Sequence, residues 1–402
     1  MKRVPFSNCR TALSRPRHGI LTVWTMWIIL TAGLCCSALF NVIWLSSVRS
    51  QAQHCTASAA LAAGHSFLSD DMLRFSQQPF EYEARITRCQ QAAINMVEEY
   101  RPGTVLPPIT AEQVHMKWSE NGPNASDSRD LVPHSIRVGF DESQFANRLP
   151  SFFGGLSAGL SSAPNIASSV ALEHSPVGFH PSPHVNVPIL PFAICDDPPT
   201  KSGNEKVSLG HWSSNVEAGE GRDAFSWNSE QRMFETGPDG LPEVTVRVYC
   251  SGSADEADAF IPLSFASSES GPAGTQIAAW IRDGLTVSDL NSLGRAQLSF
   301  PENLISPALS VESLPGCDTA LREKAGEPCL IALCSLRGKE EKDQSVKLIR
   351  PVAARIVRVT RDPGDSMSVV LQPCILTTST AITSVTSRTT LNRYVYSVRL
   401  SE

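Results

Sequence analysis

The sequence predicts an α+β protein: a single N-terminal transmembrane helix continuing into a long exterior helix, a second helix, and then a β-rich extracytoplasmic domain. Three observations carry this reading. Ile20 to Leu45 form a run of 26 residues without a charge, longer than the about 20 apolar residues that cross the hydrocarbon layer as a helix. Beyond that run, small residues recur at spacings of four and three, the signature of one helix face. Across the whole chain, Pro (28) and Gly (25) are abundant and charged residues make up only 18%, which favours turns and short strands over a helical bundle.

The first segment, residues 1–19, carries Lys2, Arg3, Arg10, Arg15 and Arg17 and no acid, leaving 29 basic against 40 acidic groups in the rest of the 402-residue chain. An acidic body does not supply the basic footprint that nucleic acid requires, so no nucleic-acid partner is expected. The basic start fits a lipid bilayer instead, because Lys and Arg resist translocation and keep the N-terminus cytoplasmic. Residues 20–47 then form the membrane helix, with Trp24, Trp27 and Trp44 toward its ends, where indole rings favour the interface. A cleaved secretory signal is the alternative. The run is long for that purpose and lacks a clean small-x-small site near Ser50. The body is exported on either reading.

Positions 48, 52, 55, 59, 62 and 66 are Val, Ala, Cys, Ala, Ala and Ser. With no Gly or Pro before Gly64 and many alanines, the simplest conformation is one rod from Ile20 to Gln77. That rod would be roughly 87 Å long at 1.5 Å per residue. Ala52, Cys55, Ala59 and Ala62 are the expected helix-packing interface, since small side chains let a neighbour approach closely. Periodicity leaves open whether that neighbour is another protein's helix or the chain's own domain. A second helix over residues 80–100 has an apolar stripe of Tyr82, Ile86, Cys89, Ala93, Met96 and Tyr100. A turn near residue 78 would set Cys89 level with about residue 67 and some 18 Å along the axis from Cys55, too far for a disulfide.

Short strands are expected at Val114–Trp118 and Ser135–Phe140, separated by a polar loop with a sequon-like Asn124. Residues 149–163 read as a compact apolar loop or short helix. The Pro-rich stretch 176–200 reads as an extended connector, and residues 200–230 as irregular. Val244, Val246, Val248 and Cys250 alternate with polar neighbours in "EVTVRVYC", a strand signature. Helices are expected at 274–282 and 286–294, the latter capped by Ser288 and stopped by Gly294. Arg355–Thr360 and Ser366–Leu371 flank "RDPGD" as a hairpin. Alternation of Tyr394, Tyr396, Val398 and Leu400 marks a terminal strand. The predicted domains are therefore 48–175, the connector 176–200, and 201–402.

Chemistry is sparse. His174, His180, His184 and His211 lie where prolines prevent helical alignment, so they do not predict a tetrahedral metal site. Asp196-Asp197 and Glu340-Glu341 read as solvated pairs. There is no nucleophile elbow and no phosphate-binding glycine loop. No catalytic, cofactor or metal residues are assigned, and the chain is not expected to be an enzyme. Eight cysteines fall on the exterior side, an even number that suggests disulfides in an oxidising space. Cys329 and Cys334 are the expected short-loop pair.

The segments "RHGILTVW" (17–24) and "VRSQAQHCTASAALAAG" (48–64), separated by the uncharged span, resemble the N-terminus of TadG-like proteins of the bacterial Tad (tight-adherence, Flp) pilus-assembly system. Arg49, Gln51 and the run Ala57 to Gly64 match that family's arginine-x-glutamine/leucine and alanine-rich pattern, most strongly over residues 17–68. His54, Cys55 and Thr56 stand where the family often has Asn-Ala-Ala. "ITAEQVHMKW" and "HSIRVGF" resemble the two strands that follow the family's second helix. The resemblance implies a pilin-like helix, a bacterial inner-membrane location with the body outside, and partners among other pilus-assembly or pilin-like membrane proteins. Type IV prepilins carry glutamate five residues after the processing glycine. Here that position is Trp24, which implies a permanent anchor. The alternative from another class is a membrane-tethered extracytoplasmic hydrolase or binding receptor with its site in residues 201–402.

Overall fold

The computed structural model describes residues 18–74, 79–100, 106–118, 132–141, 166–174, 176–196, 211–248, 259–265, 274–305, 316–335, 345–361, 367–383 and 392–401. Asn124, Asp197, Cys250, the Glu340-Glu341 pair and the segment 149–163 lie outside these residues. The first helix, α1 (His18–Phe67), is unbroken for 50 residues, or about 75 Å. It has the length and apolarity to cross a membrane. Large apolar side chains from Val23 to Ile43 are exposed, whereas Val48, Ala52, Cys55, Ala59, Ala60, Ala63 and Phe67 are buried. One helix therefore has two environments, and the change falls at Val48.

The rod is shorter than expected. α1 stops at Phe67, and a tight turn, Asp70–Leu73, follows before α2 (Pro79–Tyr100). Two consecutive carboxylates at 70 and 71 would face the negative end of the helix dipole if α1 continued. Instead they begin the turn, and Asp71 bridges to Arg88 on the returning helix at 3.3 Å. The Ser66 hydroxyl donates to the Arg88 carbonyl at 3.4 Å, so the antiparallel pair sets residue 89 level with about residue 65, about two residues from the expected level. α2 buries Arg85, Cys89, Ala93 and Val97 at strict spacings of four. Tyr82, Ile86 and Met96 flank that row, and Tyr100 is exposed. The Arg85 guanidinium lies over the rings of Phe67 and Tyr82 at 5.9 and 5.8 Å, an arrangement that apolar periodicity does not signal.

The strands are β1 (Val114–Lys117), β2 (Ser135–Gly139), β3 (Ala167–His174), β4 (Pro176–Phe179) and β5 (Ile189–Cys195). After them come β6 (Phe225–Asn228), β7 (Met233–Thr236), β8 (Val244–Val248), β9 (Ala259–Pro262), β10 (Leu298–Ser299) and β11 (Glu302–Ile305). The last six are β12 (Pro328–Ser335), β13 (Ser345–Arg361), β14 (Met367–Pro373), β15 (Leu376–Thr377), β16 (Ala381–Thr383) and β17 (Val395–Ser401). A five-stranded sheet, β1-β2-β3-β17-β15, lies under α1, and α2 packs against α1. Its middle is built from distant parts of the chain, because β3 pairs antiparallel with the C-terminal strand β17. Gly64 sits on this sheet. A methyl group added there would meet Leu172, Val398 and Val170 at 3.2, 3.3 and 3.4 Å.

The second body is a closed barrel. β13, β12, β5, β9, β8 and β14 form a ring that returns to β13, with β11 extending one end. The long strand β13 makes closure possible: residues 345–348 pair with β11 and residues 354–361 with β14. Pro351 falls in the gap between those pairings, where its missing N–H costs no ladder bond on that edge. Register shifts at Leu333/Cys334 and Ile356/Arg358 bend the strands around the ring. Phe192 and Phe260 stack at 4.7 Å between β5 and β9.

The expected connector 176–200 is not a spacer. It contains β4 and the wholly buried central barrel strand β5. Its prolines are absorbed at irregular points: Pro188 precedes the strand, and Pro191 sits where the β5–β12 register shifts between Leu330 and Ala332. Both still accept backbone bonds, from Leu330 at 2.7 Å and Leu263 at 2.9 Å. Strand pairing thus crosses the expected boundaries at 175 and 200, joining β3 to β17 and β5 to β12. The expected strands at 114, 135, 244 and 395 and the 355–371 hairpin are present. The helix Val287–Ser292 is capped by Thr286, which forms a capping box with Asp289, rather than by Ser288. Gly294 follows it with φ 68°.

Close approach of α1 to the sheet makes a contrast between two positions. Ala59→Leu places three more heavy atoms in a filled seam and is expected to cost about 1–3 kcal/mol. Gly64→Ala is expected to stay within about 1 kcal/mol of the parent, because improved helix propensity offsets slight crowding of flexible methyl groups. Thermal melting of the detergent-solubilised proteins measures both.

Candidate functional site: the helix seam and its junction with the barrel

Ala52, Cys55 and Ala59 are wholly buried, and Ala62 is half-buried. Their coverings come from the same chain: α2 on one side and β2, β3 and β17 on the other. The Thr56 hydroxyl meets that of Ser168 on β3 at 2.8 Å. A companion helix therefore has no room along this seam, and of the two partners left open by periodicity, the chain's own domain occupies it. The buried row also leaves the predicted positions after Ala59, passing through Ala63 and Phe67 instead of Ala62 and Ser66. A straight helix has 3.6 residues per turn, so a strict 3.5-residue spacing rotates off the contact face by about 20° per heptad. Burial raises the thiol pKa of Cys55 to about 11 and of Cys89 to about 12, so both stay neutral.

The corner after α1 reaches the barrel through Asp70. One carboxylate oxygen accepts from the Ile375 amide at 2.6 Å, and the other pairs with the Arg355 guanidinium on β13. Arg355 lies over the Trp227 ring at 4.9 Å. The Trp227 ring in turn rests on Gly326, where an added Cβ would meet it at 2.8 Å. Together these contacts couple the end of α1 to β13, the hairpin β6–β7 and the start of β15. No motif marks Asp70 in the sequence, since its partners are about 300 residues away.

A second polar cluster joins the C-terminal strand to the barrel. Asp196, just after β5, accepts from the Ser213 amide at 2.9 Å and from its hydroxyl at 2.5 Å. His211 Nδ1 lies 3.8 Å from the same carboxylate. Glu217 is held by Arg350 through two bonds of 2.7 and 2.8 Å and accepts from the Tyr394 hydroxyl at 3.1 Å. Trp212 Nε1 donates to that hydroxyl at 3.2 Å. Burial alone would raise the Glu217 carboxyl, but Arg350, with Arg393 and Tyr394, holds it below the usual carboxylate range. Asn392 completes the junction by donating to the Pro351 carbonyl at 2.8 Å, within the gap on β13.

These residues include a serine, a histidine and an aspartate, but their order differs from a nucleophilic triad. The Ser213 hydroxyl is committed to the carboxylate, whereas activation requires that it donate to an imidazole base. The arrangement caps the turn Ser213–Glu217. The remaining histidines diverge: His174 lies edge-on to Tyr396, His180 bonds to the Ala296 carbonyl, and His184 is exposed. Among the described residues, no three His, Cys, Asp or Glu side chains are grouped to hold a metal. Asp223, Asp239 and Glu243 do cluster, but they accept backbone N–H groups around the hairpin. Burial pushes the Asp239 and Glu243 carboxyls upward.

No disulfide joins the described cysteines. Cys329 and Cys334 lie on one extended strand, β12, about 16 Å apart at 3.3 Å per residue, so the expected short-loop pair is excluded. Comparisons with protein-family models, curated proteins and solved structures find no match to this chain.

Two outcomes follow from the junctions. Glu217 has a depressed pKa in the folded state, so its contribution is present above the unfolded carboxyl pKa and is lost as pH falls through the folded value. Urea midpoints of the parent should therefore decline from about pH 5 downward, and Glu217→Gln should lower the neutral-pH midpoint and flatten that decline. Asp70→Ala leaves the buried Arg355 charge without its carboxylate and is expected to cost about 2–4 kcal/mol in the same denaturation assay.

Proposed function

We propose that the protein is a permanently anchored structural component of a Tad/Flp-type pilus-assembly apparatus in the bacterial inner membrane, with its N-terminus cytoplasmic and its body outside. The observation that carries this reading is the division of α1 at Val48, with an exposed apolar half followed by a half sealed to the body. The basic flank before α1 and the match of Arg49, Gln51 and Ala57–Gly64 to the TadG-like pattern support it. Because the small-residue seam is internally covered, contact with pilin-like partners falls to the membrane half of α1 and to the outer surface of the sheet and barrel. The seam's role is to hold the body rigidly to its anchor. The mechanism is assembly without turnover.

In a bacterium that assembles such pili, deletion of the gene should abolish surface filaments, and a photo-crosslinking residue at Ile29 or Leu39 should capture other membrane proteins of the apparatus. Alkaline phosphatase fused after Glu402 should be active. Normal piliation of the deletion strain, or a body found in the cytoplasm, overturns the proposal. A tethered hydrolase is the second reading: Asp196, His211 and Ser213 lie together, although the Ser213 hydroxyl would have to leave the carboxylate for the imidazole. Ester hydrolysis by the purified chain that disappears in a folded Ser213→Ala variant would select it.

A further inference from the structure

We propose that Cys195 and Cys334 form a cross-strand disulfide that staples the barrel when the body folds in an oxidising space. Cys195 ends β5, Cys334 lies near the end of β12, and the two are direct partners in the parallel ladder. The Asp196 amide donates to the Cys334 carbonyl at 3.0 Å, which fixes the two residues opposite one another. Direct partners on adjacent strands have side chains on the same face, with backbones about 4.8 Å apart. That separation falls inside the about 4.4–6.8 Å Cα window of disulfides. Both cysteines are buried. By contrast, Cys329 and Cys374 flank β13, with Cys329 opposite Ala354 and the Cys374 amide bonded to the Ala353 carbonyl. They are thus two strand spacings apart, beyond that window.

The position suits a staple. β5 and β12 are far apart in sequence, run parallel, and have an irregular ladder between Leu330 and Ala332. A bond at 195–334 would fasten the far end of that pair, beside the Asp196–Ser213 cap. Formation proceeds by thiol–disulfide exchange with a disulfide-bearing oxidant. One thiolate attacks the oxidant's sulfur and releases one thiol, giving a mixed disulfide. The second thiolate attacks that bond and releases the other thiol. Two protons and two electrons leave the dithiol, and the oxidant is reduced to two thiols. Burial in the closed barrel places these steps during folding.

In cells the bond depends on the exported body of the proposed function; in purified protein it does not. The full chain in detergent, refolded in a glutathione redox buffer and digested without reductant, should yield a Cys195–Cys334 linked peptide. Reductant should lower its thermal midpoint by about 5–10 °C. In Cys195→Ala/Cys334→Ala the midpoint should not respond to reductant. Recovery of both residues as alkylated thiols after oxidative refolding, or either one bonded to a different cysteine, overturns the inference. A bond formed in the buffer but missing from cell-derived protein, with inactive alkaline phosphatase fusions, would count against the exported topology while leaving the pairing intact.

Discussion

The architecture depends on how closely α1 lies against β3 and β17. An alanine- and glycine-lined helix face has few side-chain atoms to interpose, so its backbone approaches the sheet until even a methyl group at Gly64 would press on Leu172, Val170 and Val398. At that distance the contact consists of many dispersion interactions, each small and all sensitive to added volume. The same helix exposes large apolar groups a few turns earlier. α1 does both by changing composition along its length while keeping one uninterrupted backbone.

From this contact the two ends of the chain become one unit. β17, the last strand, pairs with β3 under α1, and the barrel is formed by the sequence between them. Three polar connections bind the units: Asp70 to Arg355 and Ile375, Asn392 to Pro351, and Tyr394 to Glu217. Each lies where a regular ladder is interrupted, at a helix end or at the gap on β13. In the first two, an open backbone group, the Ile375 amide or the Pro351 carbonyl, is satisfied by a side chain from the neighbouring unit, as burial requires. Force on α1 would pass through packed side chains and these polar joints into the barrel.

Much of the fold was legible locally. The 26-residue uncharged run, the helix over 80–100, the alternation at 244–248 and the hairpin around 355–371 are short-range patterns, and each forms the expected element. Other features depended on distant residues. β5 was hidden by its prolines, whose backbone irregularities are tolerated because the ladder with β12 shifts there. Arg85 gave no apolar signal on α2, yet the rings of Phe67 and Tyr82 receive it. Glu217 and Tyr394 are 177 positions apart, so no spacing rule connects them.

The sequence by itself determined that a membrane-length apolar helix leads into a small-sided helical face, because helical period and hydrophobicity are properties of neighbouring residues. Tertiary structure decided what that face touches. Ala52, Cys55 and Ala59 are suited to any close neighbour; the return of β3 and β17 beneath them fills the space with the chain's own sheet. Barrel closure was likewise decided only in three dimensions, since it requires one long strand to pair with both β12 and β14 across separations that local patterning does not encode.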